Sequence, residues 1–347
     1  MANREAVLEA LSRVIDPELR RPITELDMVR GIEIDSGRVA ITIALTIAGC
    51  PLRASFEDQV EREVGVLEGV ESVQLAFDVM TPDERAALTQ KLRGGVTERS
   101  KGISLDASTR VLAVCSGKGG VGKSTLSANL AAAFSRLGRS TGILDADIYG
   151  HSIPHILGIR QKPVLVDKMI VPPVKDDLKL MSIGFFLDDN QPVMWRGPML
   201  HRALEQFLSD VHWGELDVLV VDMPPGTGDV AISLGQLLPR AEVLVVTTPQ
   251  PAAQEVAARA AVMAQKTSMR LVGVVENMSG DVFGSGGGQR LADDLGVPLL
   301  ATIPLDTRLR EAGDAGETLL TPEITALAER VDALRAGTIR KPLTVVS

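Results

Sequence analysis

Apolar residues recur along this chain in two rhythms, and the change between them falls near residue 110. Over residues 3–14 (NREAVLEALSRV) they return at helical spacing. From Arg38 to Ile47 they alternate, with Val39, Ile41, Ile43, Leu45 and Ile47 on one face, which predicts a half-buried strand. The Ser36-Gly37 pair before it predicts a hairpin turn joining it to a strand over 29–34. A helix within residues 51–67 and a strand over 70–78 complete a small α-β-β-α-β domain spanning residues 1–90. Residues 91–109 (KLRGGVTERSKGISLDAST) lack periodicity and carry glycine, serine and charge, the composition of a linker.

From Val111 onward the alternation disappears. Short apolar runs follow one another: VLAVC, TGILDAD, LDVLVVD, AEVLVVTT, RLVGVVEN and LLATIP. Helical segments of about ten to fifteen residues separate most of them. Runs buried on both faces and joined by helices predict a mostly parallel, doubly wound α/β sheet, here over residues 110–340. Residues 168–184 (KMIVPPVKDDLKLMSIG) read as an inserted hairpin. A last helix, opening at Thr321-Pro322, carries Ile324, Leu327, Val331 and Leu334 on one stripe.

Composition narrows the function. A length of 347 residues favours two domains. The net charge of −9 argues against a phosphate-backbone footprint, and 3% aromatics against a base-stacking platform, so no nucleic-acid partner is expected. No apolar run approaches the ~18 residues of a membrane span. The start, MANREAVLEALSRVIDPE, lacks the apolar core of a signal peptide, which reads as a cytoplasmic protein. Only two cysteines occur, Cys50 and Cys115, and no CxxC.

The chemistry concentrates in AVCSGKGGVGKSTLSANLAAAF (113–134). Gly117-Lys118-Gly119-Gly120-Val121-Gly122-Lys123-Ser124 fits the phosphate-loop spacing G-x-x-x-x-G-K-[ST], between an apolar run and a helix. The glycines let main-chain N–H groups turn inward around phosphate oxygens, and the helix adds its positive N-terminal end. Lys123 would contact the β and γ phosphates of ATP, and the Ser124 hydroxyl would ligate Mg²⁺. Asp145 and Asp222 close apolar runs, and carboxylates at strand carboxyl ends are placed to hold Mg²⁺, partly through water.

GKGGVGKS resembles the deviant phosphate loop of the MinD/ParA-like ATPase class, and that resemblance implies an ATP-hydrolysing homodimer. In that class the extra lysine, here Lys118, reaches the partner's nucleotide, where a second cation would stabilise γ-phosphate charge as an arginine finger does. It further implies a nucleotide site over Gly117, Lys118, Gly119, Gly120, Val121, Gly122, Lys123, Ser124 and Thr125. Asp147 would orient the attacking water, Asp145 and Asp222 would support the metal, and Asn277 matches the position that hydrogen-bonds adenine. Pro225, Gly226, Thr227, Gly228 and Asp229 resemble a switch sensing the γ-phosphate.

LDADIYGHSIPHILG, PVMWRGPML, VVDMPPGTGD, VVENMSG, FGSGGGQRLA and GVPLLATIPLD narrow the resemblance to Mrp/ApbC (Nbp-like) iron–sulfur cluster carrier ATPases. DPEL (16–19) and Gly49-Cys50-Pro51 resemble the small domain of iron–sulfur assembly factors. Cys50 precedes a proline suited to a first helical position, where a thiol tends towards thiolate. It reads either as a metal-ligating thiol or as a small buried hydrophobe. The family's usual CxxC after ENMS is absent, since ENMSG runs straight into DVFGSGGG. The usual bridging cluster therefore cannot be built, because four thiolates are normally required. Two roles stay open: a labile cluster on Cys50 with an outside thiol, or assembly without holding the cluster. Cys115 reads as core, His151 and His155 as switch or capping residues, and Gly284–Gly288 as a loop before a helix. The leading expectation is a slow, Mg²⁺-dependent dimeric ATPase that binds or transfers iron–sulfur clusters to apoproteins or assembly factors. The alternative is a MinD/ParA-like nucleotide-switched scaffold without cluster cargo.

Overall fold

The computed structural model describes residues 3–46, 53–92, 105–106, 108–148, 150–187 and 197–336. The chain divides into two units. A small one comprises Met1–Gly102 with Val164–Val171, and a large one comprises Ile103–Pro163 with Pro172–Ser347.

In the small unit, α1 (Arg4–Leu11) is capped by Asn3, whose side-chain oxygen accepts the Ala6 amide at 2.8 Å. Strands β1 (Val29–Asp35) and β2 (Arg38–Leu45) pair antiparallel around Ser36-Gly37. Both turn residues have positive φ, 49° and 86°, the twist a two-residue hairpin needs. After α2 (Arg53–Val64), β3 (Ser72–Val79) pairs parallel to β2, a connection that requires such a crossover helix. Val39, Ile41 and Ile43 of β2 pack with Val7, Leu11, Phe56 and Val60 in one core. Asp16 of DPEL folds its own turn: its Oδ1 accepts the amides of Glu18 and Leu19, both at 2.8 Å.

A helix absent from the sequence expectation follows, α3 (Pro82–Leu92). Its start is a capping box: Thr81 Oγ1 accepts the Glu84 amide at 3.2 Å, and Glu84 Oε2 accepts the Thr81 amide at 2.6 Å.

The large unit opens with β4 (Arg110–Ser116), α4 (Lys123–Arg136), β5 (Thr141–Asp145) and α5 (Ile153–Ile156). The next two strands, β6 (Val164–Val166) and β7 (Met169–Val171), form an antiparallel hairpin that counts with the small unit. A second hairpin, β8 (Val174–Lys175) and β9 (Leu178–Ser182), returns to the large sheet. The single insertion expected over 168–184 is therefore two hairpins, one in each unit. The chain continues through α6 (Gly197–Ser209), β10 (Val218–Asp222), α7 (Asp229–Leu237), β11 (Glu242–Thr247) and α8 (Pro251–Lys266). It ends through β12 (Arg270–Ser279), α9 (Gly287–Leu295), β13 (Leu299–Pro304), α10 (Thr307–Ala315) and α11 (Pro322–Ala336).

The large sheet runs in the order β13-β12-β11-β4-β10-β5-β9-β8, with every pairing parallel except β8 on β9. Every residue of β4, β5 and β10 is buried, which explains their unbroken apolar runs. The connection from β4 runs to one side and that from β10 to the other, so right-handed crossovers place α4 and α7 on opposite faces. On α11, Ile324, Leu327 and Val331 are buried whereas Leu334 is 37% exposed, so the expected stripe ends one turn early. Among the described residues no helix is long and apolar enough to cross a membrane.

Candidate phosphate-loop site

The sheet order puts β4, β10 and β5 side by side, so their carboxyl ends converge at the point where the winding direction reverses. Asp222 lies in register with Asp145 on one side and Val114 on the other. The loop from Gly117 to Gly122 joins β4 to α4 above them.

Glycine is required there for two separate reasons. Gly120 and Gly122 both have φ of 79°, the left-handed region. Gly117 instead passes so close to α8 that a Cβ would lie 2.2 Å from the Ala257 backbone nitrogen. A Cβ on Gly119 or Gly120 would meet nothing within 4 Å, so this part of the loop faces open space. Gly122 caps α4 with no side-chain hydrogen bond, leaving the first amides of that helix for an external acceptor. The buried Val121 side chain anchors the loop, and its carbonyl accepts Asn277 Nδ2 at 2.8 Å.

Below the loop the charged groups meet. Lys123 Nζ donates to Asp222 Oδ2 at 2.7 Å, lies 3.2 Å from Ser124 Oγ and 3.8 Å from Asp147 Oδ2. Ser124 Oγ donates to the same Asp222 oxygen at 2.6 Å, and Ser127 Oγ to Asp222 Oδ1 at 2.7 Å. Asp222 is fully buried and Lys123 only 6% exposed. An ammonium in that position is held by carboxylate charge. Thr125 is half-buried on the first turn of α4. Lys118 is exposed, and its ammonium makes no hydrogen bond or ion pair among the described residues. Pro225, Thr227 and Gly228 are exposed as well, while the Gly226 amide donates to the Ser116 carbonyl at 2.8 Å. Asp229 opens α7.

Two of the expected site residues take part in hydrogen bonds of the chain itself. Asp145 Oδ2 accepts the Ser152 and Ile153 amides, each at 3.2 Å, and Ser182 Oγ at 3.1 Å; its Oδ1 accepts the Asp147 amide at 3.2 Å. Both oxygens accept hydrogen bonds inside the chain, so Asp145 braces β5, α5 and β9. Asn277 spends its amide nitrogen on the phosphate loop, which leaves its oxygen as the group available to a base. Gly284–Gly288 is likewise closed from within: Glu276 Oε1 accepts the Gly286 amide at 3.0 Å and Oε2 that of Gly288. Ser127, Ser182 and Glu276 were not expected. Ser127 had a signal, since it lies one turn beyond Lys123 on the same helix.

Burial, and secondarily the nearby Asp222, pushes the Asp145 carboxyl up to about 7 from 3.8. Burial also raises Asp147, with Lys123 opposing it. Between these two Asp145 values the folded chain keeps a proton the unfolded chain has lost, so this contribution to stability falls as pH rises. Asp145→Asn removes that slope. Denaturant titrations should show the variant gaining about 1.4 kcal/mol on wild type between about pH 6 and about pH 8. Parallel curves would reject this assignment of the proton. Burial also pushes the Cys115 thiol up to about 12, so it is packing material within β4, as expected. Cys50 lies outside the described residues. His151 Nδ1 lies 3.4 Å from the Ile148 carbonyl, and His155 sits in the short α5. Among the described residues, no three or more His, Cys, Asp and Glu side chains are arranged to hold a metal ion.

The donor set fits magnesium on its chemistry. Ser124 Oγ and Asp222 are hard oxygen donors in direct contact, beside a loop open to phosphate.

Comparison with known proteins agrees with this architecture. Residues 107–336 match the NUBPL iron-transfer P-loop NTPase family, and residues 4–75 match an iron–sulfur cluster assembly protein family. A Mycobacterium leprae protein named iron-sulfur cluster carrier protein is 52% identical, over 90% of this chain and 86% of its own length. A Bacillus subtilis protein of the same name is 42% identical, over 88% and 89%. Among solved structures, a nucleotide-binding protein in complex with ADP from Archaeoglobus fulgidus is 35% identical. It has a TM-score of 0.55 and covers 62% of this chain and 90% of that one. The septum site-determining protein MinD from Pyrococcus horikoshii, with Mg-ADP, shares the fold at 23% identity. Its TM-score is 0.52, over 65% and 97% of the two chains. The phosphate loop, the carboxylates beneath it and the preceding small unit thus occur together in a chain that belongs to the NUBPL iron-transfer P-loop NTPase family.

Proposed function

We propose that this protein is an ATP-hydrolysing iron–sulfur cluster carrier or assembly ATPase working as a homodimer. The observation that supports it most is the buried Lys123 ammonium on Asp222 and Ser124 Oγ, beneath a glycine loop facing open space. The triphosphate lies on the amides of residues 119–124, and the N-terminal end of α4 opposes its charge. Lys123 then leaves Asp222 for the β and γ phosphates, a move across the few ångströms its stem allows. Ser124 and Asp222, freed from it, are the residues that would hold magnesium, with Ser127 fixing the second Asp222 oxygen. Magnesium, when bound, neutralises charge on the β and γ oxygens. Asp147 orients the attacking water, and Lys118 of one protomer reaches the γ-phosphate bound to the other. Asn277 Oδ1 accepts from the adenine amino group. The stretch Pro225–Asp229 follows the γ-phosphate and opens the dimer when it is lost.

The cargo reading draws on the relatives' names and on the small unit's match to an assembly family. Without a CxxC, Cys50 with an acceptor's thiol is the site for a cluster in transit. Anaerobic incubation with iron and sulfide should give the visible absorbance of a cluster that passes to an apo iron–sulfur protein and is lost in Cys50→Ser. If the wild-type chain neither retains nor passes on iron, the MinD/ParA-like scaffold takes its place.

A further inference from the structure

We infer that the β6–β7 hairpin is a clasp: a folded arm of the second half of the chain that completes the core of the small unit and keeps the N-terminal segment attached without help from the linker. The chain passes between the two units three times, after Gly102, before Val164 and after Val171. The hairpin is therefore tied to the large unit at both ends, yet its side chains belong to the small unit's core. Val166, Met169 and Val171 are 0%, 1% and 2% exposed, and they join the cluster containing Met80 and Leu88. Thr89 Oγ1 of α3 donates to the Val166 carbonyl at 3.3 Å. Leu165, on the other face of the same strand, is 61% exposed. The alternation thus separates a gripping face from a free one.

The base of this arm is fastened as well. Lys175 Nζ, just after the hairpin, donates to the carbonyls of Leu157 at 2.7 Å and Gly316 at 2.8 Å. That closes the excursion from Leu157 to Lys175 into a loop rooted in the large unit. A two-stranded hairpin of three-residue strands is not stable by itself in water, so the arm depends on the face it grips. The stems on either side of the arm also meet at one atom, Asp145 Oδ2, through Ser152, Ile153 and Ser182. The arm is therefore rooted in the strand end that carries Asp145 and Asp147. This inference does not depend on the nucleotide or cargo reading.

A site-specific protease sequence inserted between residues 93 and 104 of the full chain tests it. After complete cleavage, native size exclusion should keep the N-terminal fragment with the remainder. The same cleavage in Val166→Asp or Met169→Asp should lose it, whereas Leu165→Asp should retain it. Hydrogen exchange on uncleaved Val166→Asp should speed at residues 85–89 and 164–171 and stay unchanged in β4 and β10, which separates release of the arm from global unfolding. Release of the fragment from the unaltered hairpin, or its retention in both buried-face variants, overturns the inference. So does retention only in species of twice the mass, which would place the hairpin in a second copy.

Discussion

Lys123→Ala abolishes Mg-ATP binding: the calorimetric heat of association in the wild-type chain is lost, at least about 100-fold in affinity. The variant removes the ammonium that lies among Asp222, Asp147 and Ser124 Oγ. Breaking a buried pair by deleting one partner costs about 3–5 kcal/mol, because the remaining charge stays buried and uncompensated. The nucleotide-free variant should therefore also melt earlier than wild type. Adding Asp222→Asn separates the two effects. It removes the orphaned charge and returns part of the stability, while ATP binding stays absent. Wild-type affinity in Lys123→Ala would remove the phosphate-loop reading altogether.

Lys118→Ala has the opposite signature. Its ammonium is exposed and without a partner among the described residues, so the loop should fold and bind ATP as before. Hydrolysis should fall about a thousandfold, the scale of a lost arginine finger. On the proposed reach of this lysine across a dimer, mixing the two variants is informative. Lys118→Ala supplies an intact nucleotide site and Lys123→Ala supplies the reaching lysine, so the mixture should hydrolyse ATP faster than either variant alone. Unchanged turnover in Lys118→Ala would leave this residue a solvated surface lysine.

The core strands of the large sheet were legible because burial on both faces leaves a signature that needs no partner: an unbroken apolar run such as LVVD or LVVT. The phosphate loop was legible for a different reason. Its spacing is dictated by main-chain geometry, so Gly120, Gly122, Lys123 and Ser124 can be read without knowing the fold. What the strands pack against could not be read in the same way. VLV and MIV would suit the core of either unit, and their place in the small one depends on a surface assembled from α3 and its neighbours. Helix α3 itself had a readable start in Thr81-Pro82-Asp83-Glu84, a capping box that the charge of DERAALTQK obscures. The bracing hydrogen bonds of Asp145 were not legible. A strand-end aspartate looks alike whether its oxygens face a metal or, as here, Ser152, Ile153 and Ser182. Glu276 escaped because its partners are backbone amides ten and twelve residues on, and amides carry no sequence signal.

The buried thiol in the first strand of the large sheet has a practical consequence. The chain has two cysteines, and burial holds one of them, Cys115, protonated up to about pH 12. An alkylating dye added to native protein therefore leaves Cys115 unlabelled. Dye is taken up at this position only as the sheet comes apart. The uptake thus provides a clock for the opening of the large unit.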